Sequence, residues 1–161
     1  MRVLVIDPGY ARAGAAVLSR ANSRDTLLHS CCIETTADTP FAERIHAIVR
    51  GAEELIAAHR PSVMALERLY LSTNQKTAMQ VAEVRGALIA LAAAHNLPIV
   101  EFTPPQIKVA VTGNGAASKD EIMRMLPRLI TFPSRERLDD EYDAIAIGLT
   151  ALASYRHLST R

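Results

Sequence analysis

A chain of 161 residues, 49% hydrophobic and 22% charged, has the composition of one globular domain. That excludes a disordered chain, a collagen-like repeat and a coiled-coil rod. With 18 Lys and Arg against 17 Asp and Glu the net charge is +1, so no global signature of a nucleic-acid binder exists and any basic surface must be local.

The run Val3–Ile6 is short, apolar and stopped by Pro8-Gly9, which predicts a buried strand ending in Asp7. Gly14–Ser19 and Thr26–Thr35 predict two further strands, joined by a turn at 22–25, in an antiparallel meander. Cys31 and Cys32 are adjacent and so point to opposite faces of a strand, which disfavours a disulfide between them and suits a reducing compartment. Thr39 as N-cap and Pro40 at the first helical position predict a helix, with Phe41, Ile45, Ile48, Ala52, Leu55 and Ile56 on its apolar face and a stop before Pro61. Ser62–Glu67 then reads as a buried strand parallel to an earlier one.

A helix over 76–95 follows, closed by Asn96 and Pro98. Its second half (Ala87, Leu88, Ile89, Leu91, Ala92) is apolar over more than one face, which predicts one face for the sheet and another for a two-fold partner. Ile99–Phe102 is a strand, and Thr103-Pro104-Pro105 opens a short helix that ends at Gly113-Asn114-Gly115. Ser118 and Glu121 form a capping box for the next helix, which Pro127 is expected to kink or end. The last helix runs from Asp140 to about Arg156. The order is βββ-α-β-α-β-α-α-α, an α/β fold with a mixed five-stranded sheet and helices on both faces. One domain over 1–157 with a short tail at 158–161 is expected. The apolar run at 87–94 is too short for a membrane span and the N-terminal run too short for a signal peptide, which together predict a cytoplasmic protein with no membrane partner.

Asp7 and Glu67 each end an apolar strand, and parallel neighbours bring such ends to one edge of the sheet, where ligand sites of open α/β sheets lie. Asp140 and Asp143 are three apart and share a helix face. Four carboxylates at one edge would hold hard divalent cations, with in-line attack of an activated water on a phosphodiester as the implied chemistry. Each acid also has a plainer reading: Asp139 to Asp143 as a first turn that complements the helix dipole, Asp7 as a turn residue, and Glu67 as a surface partner of Arg68 or Lys76. The segment from Pro104 to Arg137 holds six basic residues against three acidic ones, which is the local basic surface the net charge conceals.

Ile6-Asp7-Pro8-Gly9, Ala65-Leu66-Glu67 and Asp140-Glu141-Tyr142-Asp143-Ala144 closely resemble the bacterial and phage RuvC-type Holliday-junction resolvases. Val84-Arg85-Gly86, Pro105-Gln106-Ile107-Lys108, Val111-Thr112-Gly113-Asn114-Gly115 and Ser118-Lys119 match in the same order, so the resemblance spans nearly the whole chain. It implies an RNase H-like fold. It also implies a homodimer that nicks two strands of a four-way DNA junction with Mg²⁺, or Mn²⁺ in its place, two ions per site when DNA is bound. By this resemblance Asp7, Glu67, Asp140 and Asp143 are the metal-binding catalytic residues. Tyr70, Arg85, Lys108 and Lys119 contact DNA, and a branch-migration motor is a possible partner. Three departures from the pattern stand near the site: Tyr10 after Asp-Pro-Gly, a single glycine in Gly14-Ala15-Ala16, and Arg68 after the glutamate. The alternatives are a nuclease of this fold acting on other branched DNA or on RNA, and a junction-binding module without catalysis.

Overall fold

The computed structural model describes residues 1–22, 24–69 and 75–158. The strands are β1 (Arg2–Asp7), β2 (Arg12–Ala21), β3 (Arg24–Glu34), β4 (Val63–Glu67) and β5 (Ile99–Phe102). The helices are α1 (Phe41–His59), α2 (Gln75–Ala94), α3 (Pro104–Thr112), α4 (Lys119–Leu129) and α5 (Asp139–Leu158). They follow in the predicted order. The sheet is ordered β3-β2-β1-β4-β5, with β1, β2 and β3 antiparallel and β4 and β5 parallel to β1.

Alternation along β1 explains why its sequence reads as apolar throughout. Val3 and Val5 join a core with α3, α4 and α5, and Leu4 and Ile6 join a second core with α1 and α2. A strand covered on both faces needs no polar positions. Asp7 and Glu67 continue the parity of Val5 and Ala65, so both carboxylates belong to the α5 face of the sheet. Ile6 pairs with Leu66 and Asp7 with Gly14, which sets Asp7 beside the end of β4 on one side and Gly14 on the other. Two glycines let α5 lie close on this face. A Cβ on Gly14 would stand 2.1 Å from the backbone oxygen of Asp140, and one on Gly148 would stand 2.4 Å from a methyl of Leu18.

Local signals were mostly realised. Asn96 and Arg60 adopt left-handed backbone at the ends of α2 and α1. Ser118 and Glu121 make the expected capping box, and Thr103 with Gln106 makes a second one. Cys31 and Cys32 are free thiols. Four expectations need correction. Pro40, extended at ψ 144°, is itself the N-cap residue of α1 and supplies no side-chain cap; the Thr39 hydroxyl is bonded to that of Thr36 at 2.6 Å. Pro127 does not end α4, because only one amide is lost there and Ile130 N–H still reaches Leu126 O at 3.1 Å. Arg24 and Asp25 belong to β3 rather than to a turn, with Asp25 holding Arg20 across the hairpin at 2.6 and 2.5 Å. The last helix begins at Asp139, one residue before the predicted start.

Candidate active site

Asp7 stands at the end of β1 with one edge still open to solvent. Its carboxyl is pushed up to about 7, first by burial and then by the charges of Glu67, Asp143 and Asp140; Lys119 pulls weakly the other way. Glu67 is also raised, by burial first and then by Asp143. These couplings tie all four predicted carboxylates into one electrostatic cluster, although they come from β1, β4 and α5. Among the described residues no hydrogen-bond donor reaches the carboxylate of Asp7 or Glu67.

The two α5 carboxylates have cations of their own. Asp140 is paired with Arg12 of β2. Asp143 accepts from Lys119 Nζ at 2.9 Å, and the same ammonium lies 3.6 Å from Asp139. Burial works against the charge of Lys119, but Asp143 and Asp139 outweigh it and its pKa is raised. The Ser118–Glu121 box places Lys119 in the first turn of α4, with Ser118 N–H donating to Glu121 Oε2 at 2.7 Å. A cleft of about 230 Å³ opens between Glu67, Asp143, Lys108 and Lys119, with Ile107, Ile122 and Ile147 in its walls.

The start of α5 is anchored from behind by a group read in the sequence only as part of an acidic first turn. Glu141 is buried and bonded by Arg135, and it accepts from Leu138 N–H at 3.2 Å. Arg135 also donates to Ser30 O at 2.7 Å, which ties the segment before α5 to β3. Burial alone would raise Glu141, yet the bonds from Arg135, Ser30 and Leu138 hold it below the ordinary carboxylate range. Glu141 is thus an anchor facing away from the other acids.

The sequence profile described as crossover junction endodeoxyribonuclease RuvC matches residues 3–151. The chain belongs to the RuvC family. It is 39% identical over 150 residues to the crossover junction endodeoxyribonuclease RuvC of Synechococcus, covering 93% of this chain and 97% of the relative. The Brachyspira hyodysenteriae member is 40% identical over 149 residues, with 92% of each chain covered. Thermus thermophilus RuvC, solved in complex with a Holliday junction substrate, superposes with a TM-score of 0.89 at 29% identity, covering 99% of this chain and 97% of that one. The mixed sheet and its flanking helices are therefore RNase H-like, as expected.

Within this RuvC fold the predicted DNA-contacting residues fall in different places. Lys108 and Lys119 line the carboxylate cleft. Arg85 does not: its side chain is only 17% exposed and is paired with Glu101 of β5. Burial, and then Arg68, lower its pKa. Tyr70 lies outside the described residues. Tyr10 is committed to its own domain, with its ring 5.2 Å from that of Phe41 and the Arg44 guanidinium 3.5 Å over its centre. Arg44 is buried and donates to Tyr10 O at 3.2 Å and to Thr35 Oγ1 at 2.9 Å, which pins the loop after Asp7 to α1 and β3.

The donor set fits a hard divalent cation by chemistry. It is all oxygen, it concentrates negative charge, and it includes a carboxylate raised by burial and by its neighbours that no donor among the described residues satisfies. Among the described residues no three such side chains stand around one point as a cage; Asp140 is paired with Arg12 and Asp143 with Lys119. Gly14, Arg12 and the Arg135–Glu141 anchor were missed in the sequence. For Gly14 a signal existed, as the one glycine retained in the strand beside Asp7.

Proposed function

We propose that this chain is a structure-selective endonuclease that resolves four-way DNA junctions by metal-dependent hydrolysis of one phosphodiester in each of two strands. The observation that carries this reading is the convergence of Asp7, Glu67, Asp140 and Asp143 at one sheet edge, with Lys108 and Lys119 lining a cleft beside Glu67 and Asp143. Asp7, Glu67, Asp140 and Asp143 would hold the divalent cations, Mg²⁺ or Mn²⁺. When bound, such ions lower the pKa of a water and balance charge at the phosphoryl oxygens. Lys108 and Lys119 bind the scissile phosphate and set its position, a role that carries no sequence information. The apolar walls from Ile107, Ile122 and Ile147 thin the water around that phosphate and strengthen each charge on it. Asp7, the most strongly perturbed of the four, is the residue on which the chemistry depends.

Resolution needs two such sites on one junction, and α2 supplies a surface for pairing. Val84, Leu88 and Ala92 are buried against the domain, while Met79, Ala82, Ala90 and Ala93 are exposed on the other side. A second copy docked there would relate two clefts by a two-fold axis. Among the described residues no helix is long and apolar enough to cross a membrane. We place the protein in the cytoplasm, where its DNA substrate is.

Recognition is separable from cutting by replacing Mg²⁺ with Ca²⁺ in a gel-shift titration. The expected result is binding of a four-way junction about 100-fold tighter than linear duplex of the same sequence, with the shifted species holding two chains of 17.5 kDa each. Equal affinity for the two DNAs contradicts a junction-selective enzyme and favours a general or RNA-directed nuclease.

A further inference from the structure

Arg12 and Asp140 form a pairing that the fold enforces. Arg12 opens β2 and shares the α5 face of the sheet with Gly14, two residues on. Because Gly14 has no side chain, the backbone of Asp140 lies directly over it, and the Asp140 carboxylate meets Arg12 Nε. Both contacting atoms, Arg12 Nε and Asp140 Oδ2, are closed off from solvent and have no hydrogen-bond partner beyond this ion pair. Lys119 holds Asp143 in the same way from the other side. Asp140 and Asp143 are thus each held by a cation, and among the described residues Asp7 and Glu67 are the two carboxylates of the cluster without one. A second ion needs Asp140 or Asp143 freed from its partner.

Arg12 has somewhere else to go. Glu34 is its direct partner across the β2–β3 ladder, so both side chains rise from one face of the sheet. Arg12, Glu34 and Asp140 all border an open cleft of about 610 Å³, which gives the guanidinium room to swing. Glu34 already contributes to the field at Arg12, behind Asp140. Lys119, in contrast, is paired among the described residues with the α5 acids Asp139 and Asp143 alone, both part of the same edge.

We propose that Arg12 is a counter-charge latch, which holds Asp140 while the site carries one divalent ion and moves to Glu34 when a second ion binds. This rests on the metal-dependent reading of the carboxylate cluster. Arg12 is a positioning residue in this scheme, acting through Asp140 and touching neither metal nor DNA.

Titration of the DNA-free protein with Mn²⁺, followed by the electron paramagnetic resonance signal of the free ion, reads the latch without any cleavage. The wild type is expected to bind one ion per chain well and a second weakly. Arg12→Gln should tighten the second site by about tenfold or more, since a full positive charge leaves Asp140. Glu34→Gln should weaken that site severalfold, since Arg12 loses its alternative resting place. A wild-type isotherm in Arg12→Gln overturns the latch; should that variant fail to fold, a wild-type isotherm in Glu34→Gln does so instead. Asp7→Asn separates the latch from the metal site it acts on. Loss of the first ion in Asp7→Asn alongside an unchanged Arg12→Gln isotherm sinks the latch alone, whereas Mn²⁺ binding unaffected by Asp7→Asn removes the carboxylate site and the latch together.

Discussion

Asp7→Asn is expected to abolish junction cleavage and at the same time to make the metal-free protein more stable. Folding raises the Asp7 carboxyl from 3.8 to about 7, through burial and three neighbouring acids. The native state therefore holds that proton more tightly than the unfolded chain does. The favourable contribution is complete below the unfolded value near pH 4, is lost as pH rises towards 7, and is absent above it. At pH 8 the ionised carboxylate carries the whole cost, about 4 kcal/mol as an upper bound. Asparagine removes the charge at nearly the same size. In EDTA at pH 8 the variant should melt several degrees above wild type, given about 2–4 °C per kcal/mol for a domain of this size. The gap should narrow as pH falls to 5 and close only near pH 4, and it should narrow when Mg²⁺ is added, because only the wild type then gains from binding. Cleavage should fall about 10³-fold or more. Thermal melts over pH 5 to 8, with and without Mg²⁺, check the stability half. A variant that melts no higher than wild type at pH 8 contradicts the crowding of charge around Asp7.

The second large effect concerns Gly14, which touches no substrate. A methyl group there would stand 2.1 Å from the backbone oxygen of Asp140 and 2.7 Å from its carbonyl carbon. Backbone cannot rotate away as a side-chain tip can, so Gly14→Ala must push the first turn of α5 off the sheet. Asp140 and Asp143 move with it. A displacement near 1 Å at a reacting centre costs about 10²-fold in rate, and the overpacking itself about 1–3 kcal/mol. Gly148→Ala is the matched control. Its new methyl meets side-chain ends of Leu18 and Val5 at 2.4 and 2.9 Å, midway along α5. That variant should lose stability of similar size and keep most of its cleavage when assayed well below its melting point. Equal cleavage losses in the two variants contradict a specific role for Gly14 in seating Asp140.

These two residues also mark what was legible in the sequence. Val3–Ile6 announces itself because a strand buried on both faces leaves no room for polar positions. Asn96, Ser118 and Glu121 are visible because capping chemistry is local. From the strand order alone, Asp7 and Glu67 had to meet at one edge. What local pattern could not carry was partner choice between distant segments. Arg12 with Asp140, Arg85 with Glu101, and Arg135 with Glu141 and Ser30 are made by tertiary packing. Glu141 is the sharpest case. In sequence it is one more acid in a first turn; in the fold it points inward and anchors the helix whose neighbouring acids face the cleft. Pro40 and Pro127 misled for different reasons. Pro40 stands at the N-cap, where α1 needs no amide, whereas Pro127 costs α4 one bond in its last turn and the helix still runs on to Leu129.

The proposed activity of the carboxylate cluster is cleavage of DNA at a four-way junction. The most direct measurement is strand-resolved mapping of nicks on a junction labelled on each arm, in Mg²⁺, beside linear duplex of identical sequence. Paired nicks are expected at symmetric positions in two strands of the junction, with none in the duplex and none in either with Asp7→Asn. Nicks of equal frequency in junction and duplex, or junction cleavage that survives Asp7→Asn, would contradict it.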